Sequence, residues 1–204
     1  MEWLPSDCSD RLQRQIEFIH AVDRLKKVER RSLVSDGSRR ENSAEHSWHV
    51  ALMAILLAEY ANQPVDLAKV VVMLLIHDIV EILAGDTFVY DESRGLEKKL
   101  REAEAAARVF GLLPEDQASW LRELWEEFEQ RETNEARFAA AIDRVQPIIL
   151  NLANRGRVWQ EHGITLDRVL DRNAHIVEGS EELWVLVKKA LSLGEKQGFF
   201  TQKE

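Results

Sequence analysis

A histidine, an aspartate and a glutamate follow directly on one of the most apolar stretches of the chain. Val70 to Ile76 is an almost unbroken apolar run that continues into His77 and Asp78, with Glu81 three residues later. Burying a carboxylate without a partner costs several kcal/mol, so Asp78 needs a neutralising partner. Two interpretations are open for this stretch. Imidazole and carboxylate are both good ligands for a divalent metal ion, and a His–Asp hydrogen bond could instead serve only to stabilise the core.

Two other side chains with metal-binding chemistry occur in helical patterns. The segment that starts at Asn42 has the spacing of a helix N-cap with a capping box, which places His46 in the first turn of a helix. Asp143 lies in the middle of an apolar helical pattern, where a simple ion pair with Arg137 or Arg144 is the alternative to a ligand role. Two imidazoles and two carboxylates from three helices would enclose one ion and leave positions for water and substrate.

Helical spacing of apolar residues predicts the elements that must position these side chains. The predicted helices cover 9–28, 43–61, 67–84, 95–109, 114–132, 134–154, 165–177 and 180–193. The third is expected to be one continuous helix in which His77, Asp78 and Glu81 approach one pole of the surface. The polar segment 29–41 is expected to be a loop, because it contains an Asp-Gly turn signal. No segment shows convincing strand alternation, so the predicted fold is all-α.

Composition narrows the functional class. The 204 residues, 45% hydrophobic and 31% charged, are typical of one soluble globular domain. The net charge of -9 argues against binding to a nucleic-acid backbone, although a metal could still hold a small anionic substrate. The single Cys8 excludes an internal disulfide framework and a cysteine-based zinc site. Without a signal-peptide pattern or an apolar run of membrane-spanning length, the expected location is the cytoplasm, with no membrane partner.

The order His46, His77-Asp78, Asp143 resembles the signature of the HD-domain phosphohydrolases. Residues 39–46 (Arg-Arg-Glu-Asn-Ser-Ala-Glu-His) and 77–86 (His-Asp-Ile-Val-Glu-Ile-Leu-Ala-Gly-Asp) extend the resemblance to the 5′-deoxynucleotidase branch and its bacterial relatives. Asp-Arg-Val-Gln-Pro, which starts at Asp143, is also similar. The resemblance implies a single HD domain over 1–204, an all-α bundle with the metal between core helices. Its core would cover about 12–154, with helices from 155–204 packed on it.

The resemblance also implies a role for each matching residue. Four residues would bind one divalent ion: His46, His77, Asp78 and Asp143. Histidine and carboxylate suit Mn, Co, Ni, Fe, Zn and Mg, so the metal's identity stays open. Glu81 matches the catalytic carboxylate, and Asp86, assigned to the catalytic group with it, matches together with Thr87 the positions that contact the nucleotide.

The expectations about substrate rest on two residues of the polar segment 29–41. Arg31 falls where the deoxynucleotidases use an arginine to orient phosphate. The next position of the family pattern is a tryptophan that packs on the sugar, and this chain has Ser32 there. Because a large aromatic surface could exclude a 2′-hydroxyl, Ser32 predicts a weaker preference for deoxynucleotides.

The expected function is therefore metal-dependent hydrolysis of a small phosphomonoester, most simply a nucleoside 5′-monophosphate. A di-metal oxygenase on the same scaffold is disfavoured, because no histidine occurs between Asp78 and Asp143. A nucleotide-binding HD module without catalysis is the non-enzymatic alternative, and the retention of Glu81 with every ligand position argues against it. Relatives of this family are often dimers, so the resemblance also implies a homodimer.

Overall fold

A computed structural model describes residues 7–86, 90 and 95–201. Its α-helices are α1 (Asp10–Val22), α2 (Ser43–Leu57), α3 (Leu67–Ile76), α4 (Glu81–Ala84), α5 (Gly95–Phe110), α6 (Glu115–Gln130), α7 (Asn134–Ala153), α8 (Arg157–Glu161), α9 (Leu166–Asn173), α10 (Ile176–Gly179) and α11 (Glu181–Lys196). Short 3-10 helices cover Asp23–Lys27 and Ala58–Tyr60, and two short strands, β1 (Glu29–Leu33) and β2 (Arg40–Asn42), form an antiparallel pair. The prediction of an all-α fold is confirmed, with this one hairpin as an addition.

Side-chain caps fix where the main helices begin. Asn42 Oδ1 accepts from the Glu45 backbone N–H at 3.0 Å, and Glu45 Oε2 accepts from the Asn42 N–H at 3.2 Å, so the predicted capping box is present. Asp66 caps α3 and Thr133 caps α7, as predicted, each with a single side-chain bond to the backbone N–H of the third helical residue. These caps satisfy backbone N–H groups that the first helical turn leaves unpaired, and they set the register of His46 and Asp143.

The prediction of one continuous helix over 67–84 is wrong. Helix α3 ends at Ile76, residues 77–80 form a turn, and α4 starts at Glu81. Within the turn, the N–H of Ile79 donates to Ile76 O at 3.0 Å and that of Glu81 to Asp78 O at 2.9 Å. These bonds span three residues instead of four, which tightens the backbone. His77 and Asp78 therefore lie on a turn between two helices.

The expectation of a loop over 29–41 is also wrong, because this segment provides the hairpin. The strands pair Glu29 with Asn42 and Leu33 with Arg40, with an irregularity in between. Such short, charged strands show no alternation that a sequence pattern could reveal, and their pairing depends on tertiary contacts. The Val34 carbonyl after β1 accepts from Asn154 Nδ2 at 2.9 Å, which joins the hairpin to the end of α7.

Helix α7 is the longest helix of the described chain and packs against most of the others. Phe138, Ala141, Ile142 and Val145 on it are buried, and the core extends from them to residues of the C-terminal helices. At Gly179 in α10 an added Cβ would lie 2.3 Å from the Arg137 carbonyl oxygen, so the close packing of α10 on α7 requires glycine. Within the described residues, no helix is both long and apolar enough to cross a membrane.

Candidate metal centre

Side chains from three parts of the fold meet in one buried group. His46 from α2, His77 from the turn after α3 and Asp143 from α7 each offer a ligand atom, and these atoms lie within 4.8 Å of one another. Asp143 Oδ1 is 2.9 Å from His46 Nε2 and 3.4 Å from His77 Nε2. Asp78 joins them, with Oδ1 3.2 Å from His77 Nε2 and Oδ2 4.0 Å from His46 Nε2. The structure thus places together the four side chains that the sequence singles out as ligands.

The hydrogen bonds of His77 show that the group is arranged for a cation. Its Nδ1 lies 2.8 Å from Leu74 O, and because a carbonyl oxygen only accepts, Nδ1 carries the proton. In the neutral ring, Nε2 then carries a lone pair. This buried atom has no hydrogen-bond partner in the described part of the chain. It faces oxygens of both Asp78 and Asp143. A cation between these atoms would turn their mutual repulsion into coordination, so the residues fit a metal ion.

The electrostatics of the group also favour a positive charge. Burial opposes protonation of His77, but Asp78 and Asp143 outweigh it and raise its pKa to about 9. Burial alone would raise the pKa of Asp143, yet Arg144 and the two histidines hold it well below its usual range. A divalent cation bound here would compete with the proton on His77, because metal ligands must be deprotonated.

Glu81 lies beside this group as the first residue of α4. Its Oε2 accepts a hydrogen bond from Ser43 Oγ at 2.7 Å, and both residues are buried. Burial, followed by the charge of Asp78, raises the pKa of Glu81 well above its usual value. A carboxyl group whose pKa is raised by burial is suited to general acid–base chemistry.

Neighbouring arginines of β1 have different surroundings. Arg30 Nη1 lies 2.5 Å from Asp78 Oδ2, and the Arg30 side chain is only 14% exposed. Arg31 is exposed, although it also lines the cavity described below. From the sequence, Arg31 is the arginine predicted to orient phosphate. In the structure, Arg30 is the arginine that contacts the ligand group. The alternation of side chains along a strand could have separated the two, but only once β1 was known to be a strand.

A cavity of about 170 Å³ opens from this group. Ser32 and Asp86 line it, and Ser32 is 9% exposed, while their contact with substrate stays a prediction. Thr87, the other residue predicted to contact nucleotide, lies outside the described residues. The wall away from the ligand group includes Asn151 and Trp159. Trp159 belongs to α8, a helix that the sequence pattern does not predict.

The fold and this group define a class: an all-α domain with a buried His–Asp group between its core helices that could hold a metal ion. Residues 22–184 match the HD domain family, and the chain belongs to that family. The motif resemblance seen in the sequence is thereby confirmed.

Individual relatives agree with this membership. A solved structure titled as a predicted metal-dependent phosphohydrolase from Magnetospirillum magnetotacticum MS-1 superposes with a TM-score of 0.90 and 48% identity, covering 94% of this chain and 96% of that one. A human 5′-deoxynucleotidase is 33% identical over 135 residues, which are 66% of this chain and 65% of the human protein. A 5′-deoxynucleotidase of Vibrio vulnificus is 31% identical over 111 residues, 50% of this chain and 57% of that protein. The match therefore spans somewhat less than two thirds of the human relative's length.

Proposed function

We propose that this protein is a metal-dependent phosphohydrolase that removes phosphate from a nucleoside 5′-monophosphate. The observation that carries the proposal is the convergence of His46, His77, Asp78 and Asp143 beside a buried Glu81 whose pKa is raised. The names of the relatives, a metal-dependent phosphohydrolase and 5′-deoxynucleotidases, support the same reaction class.

The proposed cofactor is one divalent ion held by these four side chains. When bound, it would neutralise phosphate charge and lower the pKa of a water molecule. The set of imidazole and carboxylate donors suits several first-row metals, so metal content must be measured.

Other residues of the cavity take the remaining roles in this proposal. Glu81 takes or relays a proton during attack on the phosphorus. The Arg31 guanidinium, exposed at the cavity, orients phosphate oxygens, because its planar fork matches two of them at once. Asp86 and Thr87 contact the nucleotide, and Ser32 lies near the sugar.

The test is a phosphate-release assay over ribo- and deoxynucleoside monophosphates. The protein is first treated with a chelator, and Mn, Co, Ni, Fe, Zn or Mg is then added. We expect turnover that depends on one of these metals and is abolished in Asp143→Asn, with metal loss in that variant. The matched control is Asp116→Asn, which removes a surface carboxylate paired with Arg11. Binding of metal and nucleotide without turnover would favour a nucleotide-binding HD module without catalysis. Activity that does not depend on metal would contradict the proposal.

A further inference from the structure

Gln146 is a fully buried amide at the back of the ligand group. It lies on α7 three residues after Asp143, has 0% exposure, and makes three polar contacts. Its Nε2 is 2.6 Å from Glu41 Oε1 and 3.1 Å from His49 Nδ1, and its Oε1 is 3.1 Å from His46 Nδ1.

These contacts fix which way the amide points. A carboxylate oxygen accepts, so the amide atom facing Glu41 is the NH₂ group, and its second proton is directed to His49 Nδ1. The carbonyl oxygen is then on the side of His46. Because that oxygen can only accept, His46 donates to it from Nδ1. At its other nitrogen, Nε2 lies 2.9 Å from Asp143 Oδ1, which also only accepts, so a bound metal would replace the proton on Nε2 and leave the proton on Nδ1.

We infer that Gln146 is a positioning residue that holds His46 in the tautomer that binds metal, with Glu41 as its anchor. This inference rests on the metal site of the proposed function. His77 obtains the same tautomer from the backbone carbonyl of Leu74, which side-chain substitution cannot remove. His46 depends on a side chain, so its tautomer can be changed by mutation. Partners of this kind orient ligating histidines in other metal sites.

Three variants test the inference. Gln146→Met keeps the side chain's length and removes both the acceptor and the donors. The double variant Glu41→Gln/Gln146→Glu exchanges amide and carboxylate, which restores one hydrogen bond between them and an acceptor facing His46 Nδ1. Asn154→Ala is the matched control, because it removes an α7 side chain with two hydrogen bonds, to Val34 O and Leu150 O, away from the ligand group.

Two measurements read the outcome. Nitrogen-15 NMR of the zinc-loaded protein reports which His46 nitrogen binds the metal, and competition with a chromophoric chelator reports Zn or Mn affinity. We expect Zn on His46 Nε2 in the unmodified protein, and in Gln146→Met a loss of that preference with about 10–100-fold lower affinity. The exchanged pair should recover most of both, and Asn154→Ala should change only the melting temperature. Unchanged metal affinity in Gln146→Met would overturn the inference. If the unmodified protein binds metal but releases no phosphate, the proposed function fails and the affinity comparison still decides the role of Gln146; if it binds no metal, both fail.

A different observation, at the other end of the cavity, concerns Asn151. This residue is 8% exposed, lines the cavity, and donates from Nδ2 to Pro147 O at 2.8 Å. That bond identifies Nδ2, and the buried Oδ1 has no hydrogen-bond partner among the described residues. Leaving a buried acceptor unpaired costs about 1–3 kcal/mol, and a donor on the ligand reaches Oδ1 when the side chain turns toward the cavity that Asn151 lines.

We propose that Asn151 Oδ1 accepts a hydrogen bond from an N–H or O–H of the nucleoside part of the substrate. This specifies the nucleotide of the proposed function further. Asn151 lies eight residues after Asp143, about 12 Å along the helix axis at about 1.5 Å per residue. One extended ligand with its phosphate at the metal could therefore reach it. Ile148, Val158 and Trp159 add apolar walls for a base or sugar.

Asn151→Leu tests this role, with p-nitrophenyl phosphate as a substrate that lacks a nucleoside. We expect about a 10-fold loss in kcat/KM on nucleotides, mainly through KM, because one paired acceptor is lost. Turnover of p-nitrophenyl phosphate and the behaviour of Asn154→Ala should stay unchanged. Equal losses on both substrates would mean that Asn151 only supports the fold, and would overturn the proposal. If neither substrate is turned over, the proposed function fails, and calorimetric binding of the free nucleoside to both proteins decides the role of Asn151.

Discussion

Arg30 Nη1 and Asp78 Oδ2 lie 2.5 Å apart, so a buried guanidinium is paired with one of the proposed metal ligands. The same guanidinium places Nε 3.9 Å from Glu41 Oε2. Burial alone would lower the pKa of Arg30, but Asp78 and the other nearby acids raise it, so the arginine stays charged. It balances negative charge that the metal alone would otherwise have to neutralise.

The two adjacent arginines should therefore respond differently to the same substitution. Arg30→Met breaks a buried ion pair, which costs about 3–5 kcal/mol, so it should lower the melting temperature of the metal-free protein, while the unbalanced charge of Asp78 should strengthen metal binding. Arg31→Met removes an exposed guanidinium and should leave the melting temperature unchanged while raising KM for phosphomonoesters.

Thermal unfolding, metal titration and steady-state kinetics on both variants separate these roles. Arg30→Lys is the control for charge, since lysine keeps the charge but not the planar fork. A KM effect confined to Arg30→Met, with Arg31→Met silent, would show that phosphate orientation by Arg31 is wrong.

Glu81 should be needed for turnover and not for metal binding. Glu81→Gln keeps the size of the side chain and removes the group that exchanges a proton, so activity should fall by about 10²–10⁴-fold. Metal content should stay at the level of the unmodified protein. Because the buried carboxyl group already has a raised pKa, the neutral amide should not destabilise the fold.

Ser43→Ala provides the matched control for Glu81. It removes the hydrogen bond from Ser43 Oγ to Glu81 Oε2, a bond that lowers the pKa of the carboxyl group. Its loss should move the pH dependence of kcat toward higher pH without abolishing turnover. Equal activity per folded molecule in Glu81→Gln and the unmodified protein would remove Glu81 from the mechanism.

The parts of the fold set by local chemistry could be predicted from sequence, and the parts set by tertiary contact could not. The caps at Asn42 and Thr133 follow from side chains that bond to nearby backbone. The hairpin does not, because β1 is held by β2 and by contacts with the distant end of α7. The turn at His77 could not be predicted either, because the apolar residues before it have the pattern of an uninterrupted helix.

The site shows the same division. His46 and Asp143 stand out because polar groups that bind metals are unexpected in apolar helical patterns. Arg30, Gln146 and Asn151 give no such signal, because their importance comes from what they touch. Arg30 differs from Arg31 only through strand geometry, and Gln146 matters because Glu41, His49 and His46 surround it.

His175 should make stability depend on pH. Burial, together with the positive charges of Arg144 and Arg131, lowers its pKa to about 4 in the folded protein. The unfolded chain takes up the proton near pH 6.5. Between these values the unfolded state binds more protons, so this contribution is fully present above about pH 6.5 and is lost as pH falls toward 4.

Replacing His175 by Gln should remove that part of the pH dependence. Because the side chain is only partly buried, solvent screening reduces the expected difference to about 1 kcal/mol. Denaturant unfolding at pH 7.5 and pH 5.0, with chelator present for both proteins, measures it. Titration of the metal-site residues occurs in both proteins and cancels in the comparison. Parallel stability curves for the two proteins would show that His175 is not protonated on unfolding in this range.

Ser32 should weaken discrimination between ribo- and deoxynucleotides. It is 9% exposed and lines the cavity, in the position where the family pattern has a tryptophan against the sugar. A small side chain leaves room for a 2′-hydroxyl and can hydrogen-bond to it. Discrimination by shape is worth about 1–3 kcal/mol, or about 5–150-fold, so without the tryptophan the two kinds of substrate should differ by less than about 10-fold in kcat/KM. Ser32→Trp should sharpen the preference for deoxynucleotides, and Ser32→Ala, which keeps the space, should not. Matched ribo and deoxy substrates with the same base measure this, and a strong deoxy preference in the unmodified protein would contradict it.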